Sequence, residues 1–319
     1  MNLLVVGSVA YDTVTTPSGR NDRQLGGSAT YFSTASSYLT NVGILAVIGQ
    51  DFSDVDRSLF DEHGIDVSGL ETSEGETFRW SGIYEDDLNT AITVETKLNV
   101  FADFVPILGK HHASAPFLFL ANIDPRLQST VLDQMDPRPK MVACDTMNLW
   151  IDTAKPQLIE LISRVDVLII NEAEARQLTD ENNILVAAQR LLGMGLNTLV
   201  IKRGEYGAAV FDNDFTFAVP AFPLINVIDP TGAGDSFAGG FLGYIAAIGK
   251  RDQPTIRRAT IVGSVMASFA VERFGVECLA SLTKADIEER FNAFVDLTSF
   301  DPIKGSQGVP LGVLRDRPC

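Results

Sequence analysis

Apolar residues in this chain fall into short unbroken runs rather than alternating with polar ones. The clearest are "LLVVG" (3–7), "GILAVIG" (43–49), "FLFLA" (117–121), "MVACD" (141–145), "VDVLIIN" (165–171) and "TLVIK" (198–202). A continuous run of this kind predicts a strand covered on both faces, as in a parallel sheet. The run at 224–228 is read as a strand in the same way. Between the runs lie stretches with apolar residues at helical spacing, at 27–39, 153–162, 173–178 and 184–192. Strand alternating with helix predicts a three-layer α/β fold, a mostly parallel central sheet flanked by helices. Ligands of such sheets bind beyond the carboxyl ends of the strands. Polar residues do follow the run ends: Asp12, Asp51, Asn122, Asp145, Asn171, Lys202 and Asp229.

One region breaks the pattern. From 77 to 104 the chain reads "TFRWSGIYEDDLNTAITVETKLNVFADF", rich in β-branched and aromatic residues, with a turn near 86–89. Together with 12–25 it predicts a small β-sheet lid beside the main sheet. After 225 the chain turns helical, at 235–248, 254–273 and 283–295. The tail from 301 to 319 carries Pro and Gly without periodicity and is expected to be irregular, which leaves one α/β unit over 1–300.

Composition narrows the partners. A net charge of −16 disfavours a nucleic-acid surface or an anionic membrane. It leaves room for a small anion, which a few N–H groups and one lysine can hold. No apolar run reaches the length of a membrane span. The three cysteines, Cys144, Cys278 and Cys319, are far apart and odd in number, which fits a reducing cytoplasm. The start "MNLLVVGSVAYD" lacks a basic region and reads as a first strand, not a signal peptide. His63, His111 and His112 show no metal-ligand spacing and are expected at the surface.

The chemistry concentrates in "DPTGAGDSFAGGF" (229–241). A β-turn over 229–232 and a helix cap at Asp235 account for most of it, but leave Gly234 without a task. Glycines at a helix start also expose backbone N–H groups to an anion. Neither common nucleotide motif is present: there is no G-x-x-x-x-G-K-[ST], and Phe237 stands where G-x-G-x-x-G needs glycine. "NEAEA" (171–175) places Glu174 three residues after Asn171, the spacing of a capping box and equally of two oxygens on one side of a first turn.

"DPTGAGDSFAGGFLGY" closely resembles the C-terminal signature of the ribokinase-like (PfkB) carbohydrate kinases. "LGGSATYFSTAS" (25–36) resembles the family's N-terminal double-glycine motif and "VIGQDF" (47–52) the element after its second core strand. "NEAEA" is similar to its N-x-x-E motif and "KRGEYGA" (202–208) to its nucleotide-side turn, all in the family's order. The resemblance implies an ATP- and Mg²⁺-dependent phosphotransferase acting on a primary hydroxyl of a small sugar or polyol. A nucleoside kinase of the same fold is the alternative, and a catalytically silent binding protein a further one.

The resemblance also implies roles. Asp235 matches the general base, and the amides of Gly232, Ala233 and Gly234 the anion hole. Asn171 and Glu174 match the Mg²⁺ side; Lys202, Gly204, Gly207 and Thr231 match the nucleotide side. Asp229 and Thr231 are candidates for a monovalent-cation site such as K⁺ has in several relatives. On the acceptor side, Asp12, Gly26, Gly27, Asn122 and Asn148 are candidates. Tyr31 occupies the position where many relatives carry a polar asparagine. Of the lid aromatics Phe78, Trp80 and Tyr84, packing is expected, with one able to stack on a ring. The chain is expected to be a monomer or a dimer joined through the lid.

Overall fold

The computed structural model describes residues 1–301, so most of the tail at 301–319 lies outside the described residues. Each of the six long apolar runs is a strand. In chain order the strands are β1 (Leu3–Val6), β2 (Ala10–Thr16), β3 (Gly19–Gly26), β4 (Val42–Gly49), β5 (Asp66–Ser73), β6 (Phe78–Tyr84) and β7 (Ala91–Lys97). They continue with β8 (Phe117–Leu120), β9 (Met141–Asp145), β10 (Val167–Asn171), β11 (Thr198–Lys202), β12 (Ala208–Asp212) and β13 (Thr216–Val219).

Nine strands form the central sheet in the order β13-β12-β11-β10-β9-β8-β1-β4-β5. Pairing is parallel from β5 to β11 and antiparallel for β11–β12 and β12–β13. The unbroken runs are explained by the two faces. Leu3 and Val5 pack with Phe32, Phe241 and Met266, while Leu4 and Val6 pack with Leu132, Leu158 and Leu191. Helices Ser28–Ser37, Ala233–Ile248 and Gln253–Ala270 supply the first layer, and Pro125–Asp133, Lys155–Ile162, Glu172–Thr179 and Ile184–Leu192 the second. A side chain buried between sheet and helix contributes about 1.5–3 kcal/mol, which is why the inner strand positions are apolar on both faces.

Three strands and one non-strand depart from expectation. β5 and β13 are the two edge strands, where solvent reaches them and their apolar signal is diluted, while β12 is a short, mostly buried strand between β11 and β13. The run at 224–228 is not a strand: Ile225 is 100% exposed. Its segment is fixed instead by the amide of Ile228, which donates to the Val271 carbonyl at 2.8 Å. His112, expected at the surface, is buried, with Nε2 3.1 Å from the Ser68 hydroxyl.

The second sheet has the order β3-β2-β6-β7. Its outer strand β7 is largely exposed. At its base Asp51, from "VIGQDF", accepts from the Thr77 amide and hydroxyl at 2.7 Å and pairs with Arg79 at 3.0 Å. That anchors the start of β6 to the end of β4. No helix among the described residues is long and apolar enough to cross a membrane.

Candidate active site

The helix Ala233–Ile248 begins without a side-chain cap. Its N-cap, Gly232, has φ +75°, and a Cβ there would enter the Tyr31 ring, so both backbone and packing require glycine. Ala233 N–H donates to the Pro230 carbonyl at 3.2 Å. Gly232 and Gly234 N–H donate to no protein acceptor among the described residues. Of the three amides expected to form an anion hole, these two are open. Asp235 follows in the first turn, half-buried, at the positive end of the helix.

The parallel register brings the strand ends to this helix start. Asn171 and Lys202 are direct partners on β10 and β11. Asp145 ends β9, and its strand end is held by the buried Gln128, whose amide donates to the carbonyls of Leu120, Ala121 and Asp145 at 2.9–3.1 Å. Lys202 pairs with Asp145 at 3.0 Å. Its Nζ lies 2.9 Å from where a Cβ on Gly234 would stand, so the ammonium sits over the open helix start.

Charge is unbalanced here. Burial pushes the Asp235 carboxyl up to about 7, and the neighbouring Asp145 charge adds to this against the pull of Lys202. Burial, then Asp145, likewise raise Glu174 to about 7. Burial raises Asp145 too, even though Lys202 favours its ionised form. For Lys202, burial alone would favour the neutral amine, but Asp145, Glu174 and Asp235 outweigh it and the net shift is upward. The ion pair thus has both partners raised. The physical cause is one ammonium shared among three carboxyls: the lysine is charged and the carboxyls compete for it.

Asn171 and Glu174 form a full capping box on helix Glu172–Thr179. Asn171 Oδ1 accepts from Glu174 N–H and Glu174 Oε2 from Asn171 N–H, each at 2.8 Å. The capping half of the sequence reading is therefore present. Lys202 leads into a hairpin between β11 and β12 that carries Gly204 and Gly207, both at positive φ. The lid tip reaches this turn: the Asn89 side chain packs against Gly204.

Asp12 lies within β2 and is buried beside Gly26, where any Cβ would meet its carboxylate. Burial pushes Asp12 up to about 8, with the Asp229 charge adding to the shift and the Gly27 amide opposing it. Asp229 is fully buried. It accepts from the Gln24 amide at 2.8 Å, from Thr231 N–H at 2.9 Å and from Gly275 N–H at 3.1 Å. Its oxygens are thus engaged by donors. The Thr231 hydroxyl donates to the lid residue Tyr84 at 3.3 Å. Asn122 Oδ1 accepts from Trp150 at 3.0 Å, and Asn148 opens helix Asn148–Thr153 with an exposed side chain. Phe78 packs on Phe101 within the lid, as expected.

Sequence reasoning left three participants without a role. Gln24 and Gln128 carry no motif, and the pairing of Asp145 with Lys202 joins residues 57 apart. For Asp145 a signal was present, its place at a strand end.

The fold and the site define a three-layer α/β kinase with a β-lid. The chain belongs to the PfkB family of carbohydrate kinases, whose model matches residues 2–280. Membership makes it a phosphotransferase of the ribokinase type, a family whose members typically bind ATP with Mg²⁺. It is 32% identical over 251 residues to the cytidine kinase of Thermococcus kodakarensis, spanning 76% of this chain and 88% of that one. The nucleoside kinase of Burkholderia thailandensis, solved with inosine, superposes with a TM-score of 0.76 at 20% identity, over 91% of this chain and 97% of that one. A candidate ribokinase II from E. coli, in complex with ATP and Mg²⁺, gives a TM-score of 0.73 at 17% identity, over 92% of this chain and 99% of that one.

Proposed function

We propose that this chain is a nucleoside kinase that transfers the γ-phosphoryl group of ATP to a primary hydroxyl, with Asp235 as general base. The observation that carries the chemistry is the uncapped helix start, with two open amides, an ammonium above it and a carboxyl near neutral pKa in its first turn. The acceptor class, a nucleoside in preference to a free sugar or polyol, is supported by the likeness to cytidine and nucleoside kinases. The partly buried lid residue Tyr84, which meets Thr231, agrees with a ring-bearing acceptor.

The residues divide the work. Asp12 accepts a hydrogen bond from an acceptor hydroxyl and orients the sugar part. Asp235 takes the proton of the attacking hydroxyl as its oxygen forms the new bond to phosphorus and the bond to the ADP oxygen breaks. A carboxyl poised near pH 7 suits that exchange. Gly232 and Gly234 N–H groups and Lys202 stabilise charge on the transferring phosphoryl oxygens. The oxygen-rich edge formed by Asn171, Glu174 and Asp145 fits a hard divalent ion that keeps several waters. Mg²⁺ bound there with ATP supplies charge neutralisation at the phosphates. A K⁺ ion near Asp229 would have to compete with the three donors that its carboxylate already accepts.

The test is ADP release from Mg²⁺·ATP with a panel of cytidine, uridine, adenosine, inosine, ribose, fructose and myo-inositol. The expected result is turnover of at least one nucleoside at a kcat/KM at least tenfold above every free sugar or polyol. Preference for a sugar or polyol would overturn the acceptor class, and no turnover of any compound would overturn the kinase reading.

A further inference from the structure

The lid touches the body of the site at two points. Tyr84 accepts from the Thr231 hydroxyl at 3.3 Å, and the Asn89 side chain lies against the Cα of Gly204. Thr231 precedes the anion-hole glycine Gly232, and Lys202, whose ammonium sits over the helix start, leads into the Gly204 turn. The lid tip therefore crosses from the acceptor side to the nucleotide side. Both surfaces that meet at Gly204 are preformed. Asp87 Oδ1 accepts from the amides of Asn89 and Thr90 at 2.8 and 3.2 Å, and Asn89 Nδ2 donates to the Asp87 carbonyl at 2.8 Å. With its amide nitrogen engaged, Asn89 presents Oδ1 to Gly204, where any Cβ would collide with it. Gly204 has φ +54°. Arg203 N–H closes the turn on the Gly207 carbonyl at 2.8 Å, and Arg203 Nε donates to Glu172 at 2.7 Å. The turn is thus a post braced on helix Glu172–Thr179, which also carries Glu174. No hydrogen bond joins Asn89 to the turn among the described residues, so the seat is a packing contact that can open. The tip carries Glu85, Asp86 and Asp87, which ATP phosphates repel. Contact with protein, not with nucleotide, holds it there.

The geometry points to Asn89 as a positioning residue that couples the two substrates: nucleotide held at the Gly204 turn fixes the seat for the lid tip, and acceptor held under the lid fixes the tip. This rests on the kinase reading above but not on the acceptor being a nucleoside. Asn89 touches neither substrate. It acts through Gly204, by seating the strand pair β6–β7 that carries Tyr84. Each substrate orders part of what the other must order, so each binds more tightly when the other is present. Linkage makes the two gains equal. Truncating Asn89 removes the gain and leaves the binding of each substrate by itself where it was.

The test is the acceptor Kd, measured by calorimetry with and without saturating Mg²⁺·AMP-PCP, a non-hydrolysable ATP analogue. The acceptor is the panel compound that the wild type turns over best. In the wild type the analogue should tighten acceptor binding at least about fivefold, the lower end of ordinary coupling. In Asn89→Ala that gain should fall below about twofold, while the Kd of acceptor alone and of analogue alone each stay within about twofold of wild type. A merely structural asparagine would lower Tm and leave the gain intact, which overturns the inference. A wild type that shows no gain overturns it equally. A second measurement needs no acceptor. Hydrogen exchange across 84–91 should slow when Mg²⁺·AMP-PCP alone binds the wild type, and should not slow when it binds Asn89→Ala. Equal protection in both proteins, or none in either, overturns the inference. Should the wild type turn over no panel compound or fail to bind AMP-PCP, the kinase reading fails and this inference with it. If the wild type is an active kinase and Asn89→Ala couples its substrates as strongly, this inference alone fails.

Discussion

Asp235 carries two readings, helix cap and base, and a substitution separates them. It caps no amide beyond its own first turn, because the helix starts at Gly232 without any side-chain cap. Asp235→Asn keeps size and polarity, so the fold should persist. Turnover should fall about 10²- to 10⁴-fold, the usual worth of a positioned general base, with the KM for ATP little changed. The same carboxyl predicts a pH dependence. Its ionised form is the base, so kcat/KM should rise with pH through about 7. A rate flat across that range, or an Asp235→Asn enzyme near wild-type speed, would reduce Asp235 to an ordinary first-turn acid.

At the scale of elements, helix Glu172–Thr179 carries a capping box whose glutamate is also the proposed Mg²⁺-side residue. The capping box closes the helix start through Glu174 Oε2, and Oε1 has no hydrogen-bond partner among the described residues. Glu174→Gln keeps an oxygen for the Asn171 amide, so Tm should stay within a few degrees. The Mg²⁺ concentration for half-maximal rate should rise severalfold, because a neutral amide is a weaker partner for a hydrated divalent ion. Glu174→Ala should lower Tm as well, since it loses a cap worth about 1 kcal/mol. If Glu174→Gln leaves the Mg²⁺ titration unmoved, only the cap remains. The lid is tied to the body at its base by Asp51 and meets Thr231 through Tyr84, while its tip rests on the Gly204 turn through Asn89. It therefore spans both halves of the site.

At the scale of the molecule, the site concentrates acidic groups that burial holds toward their neutral forms. Asp12 and Asp235, about 8 and about 7 in the folded chain, share an ordinary value of 3.8; Glu174 rises from 4.5 to about 7. The folded state binds more protons than the unfolded state over that interval. Their contribution to stability is complete below about pH 4 and is lost as pH rises through about 7 to 8. The Tm of the ligand-free protein should therefore fall across about pH 5 to 8. Asp12→Asn combined with Asp235→Asn should flatten that slope. An unchanged slope in the double variant would place the pH dependence elsewhere.

Much was legible because it is local. A continuous apolar run reports burial on both faces, and "GAGD" at a helix start reports open amides, each within a few residues. The lid was legible from its β-branched composition, and the capping box from its spacing. Other features depend on what packs against what. The run at 224–228 looks like a strand, yet it joins neither sheet and Ile225 faces solvent. Tyr31 stands out in the sequence only by what relatives carry at its position; that its ring packs under Gly232, 201 positions away, and that its hydroxyl is buried without a partner show only in the fold. Gln24 holds Asp229 across 205 residues, and Thr231 meets Tyr84 across 147. Periodicity carries information over a turn of helix or a pair of strand residues. The sequence by itself therefore determined the layers and the open helix start with its first-turn carboxyl. Which side chains share the charge of Lys202, and which hydroxyl is left without a partner, was decided by tertiary packing. Hydrogen bonding and desolvation depend on neighbours in space, and the chain brings those together only when it folds.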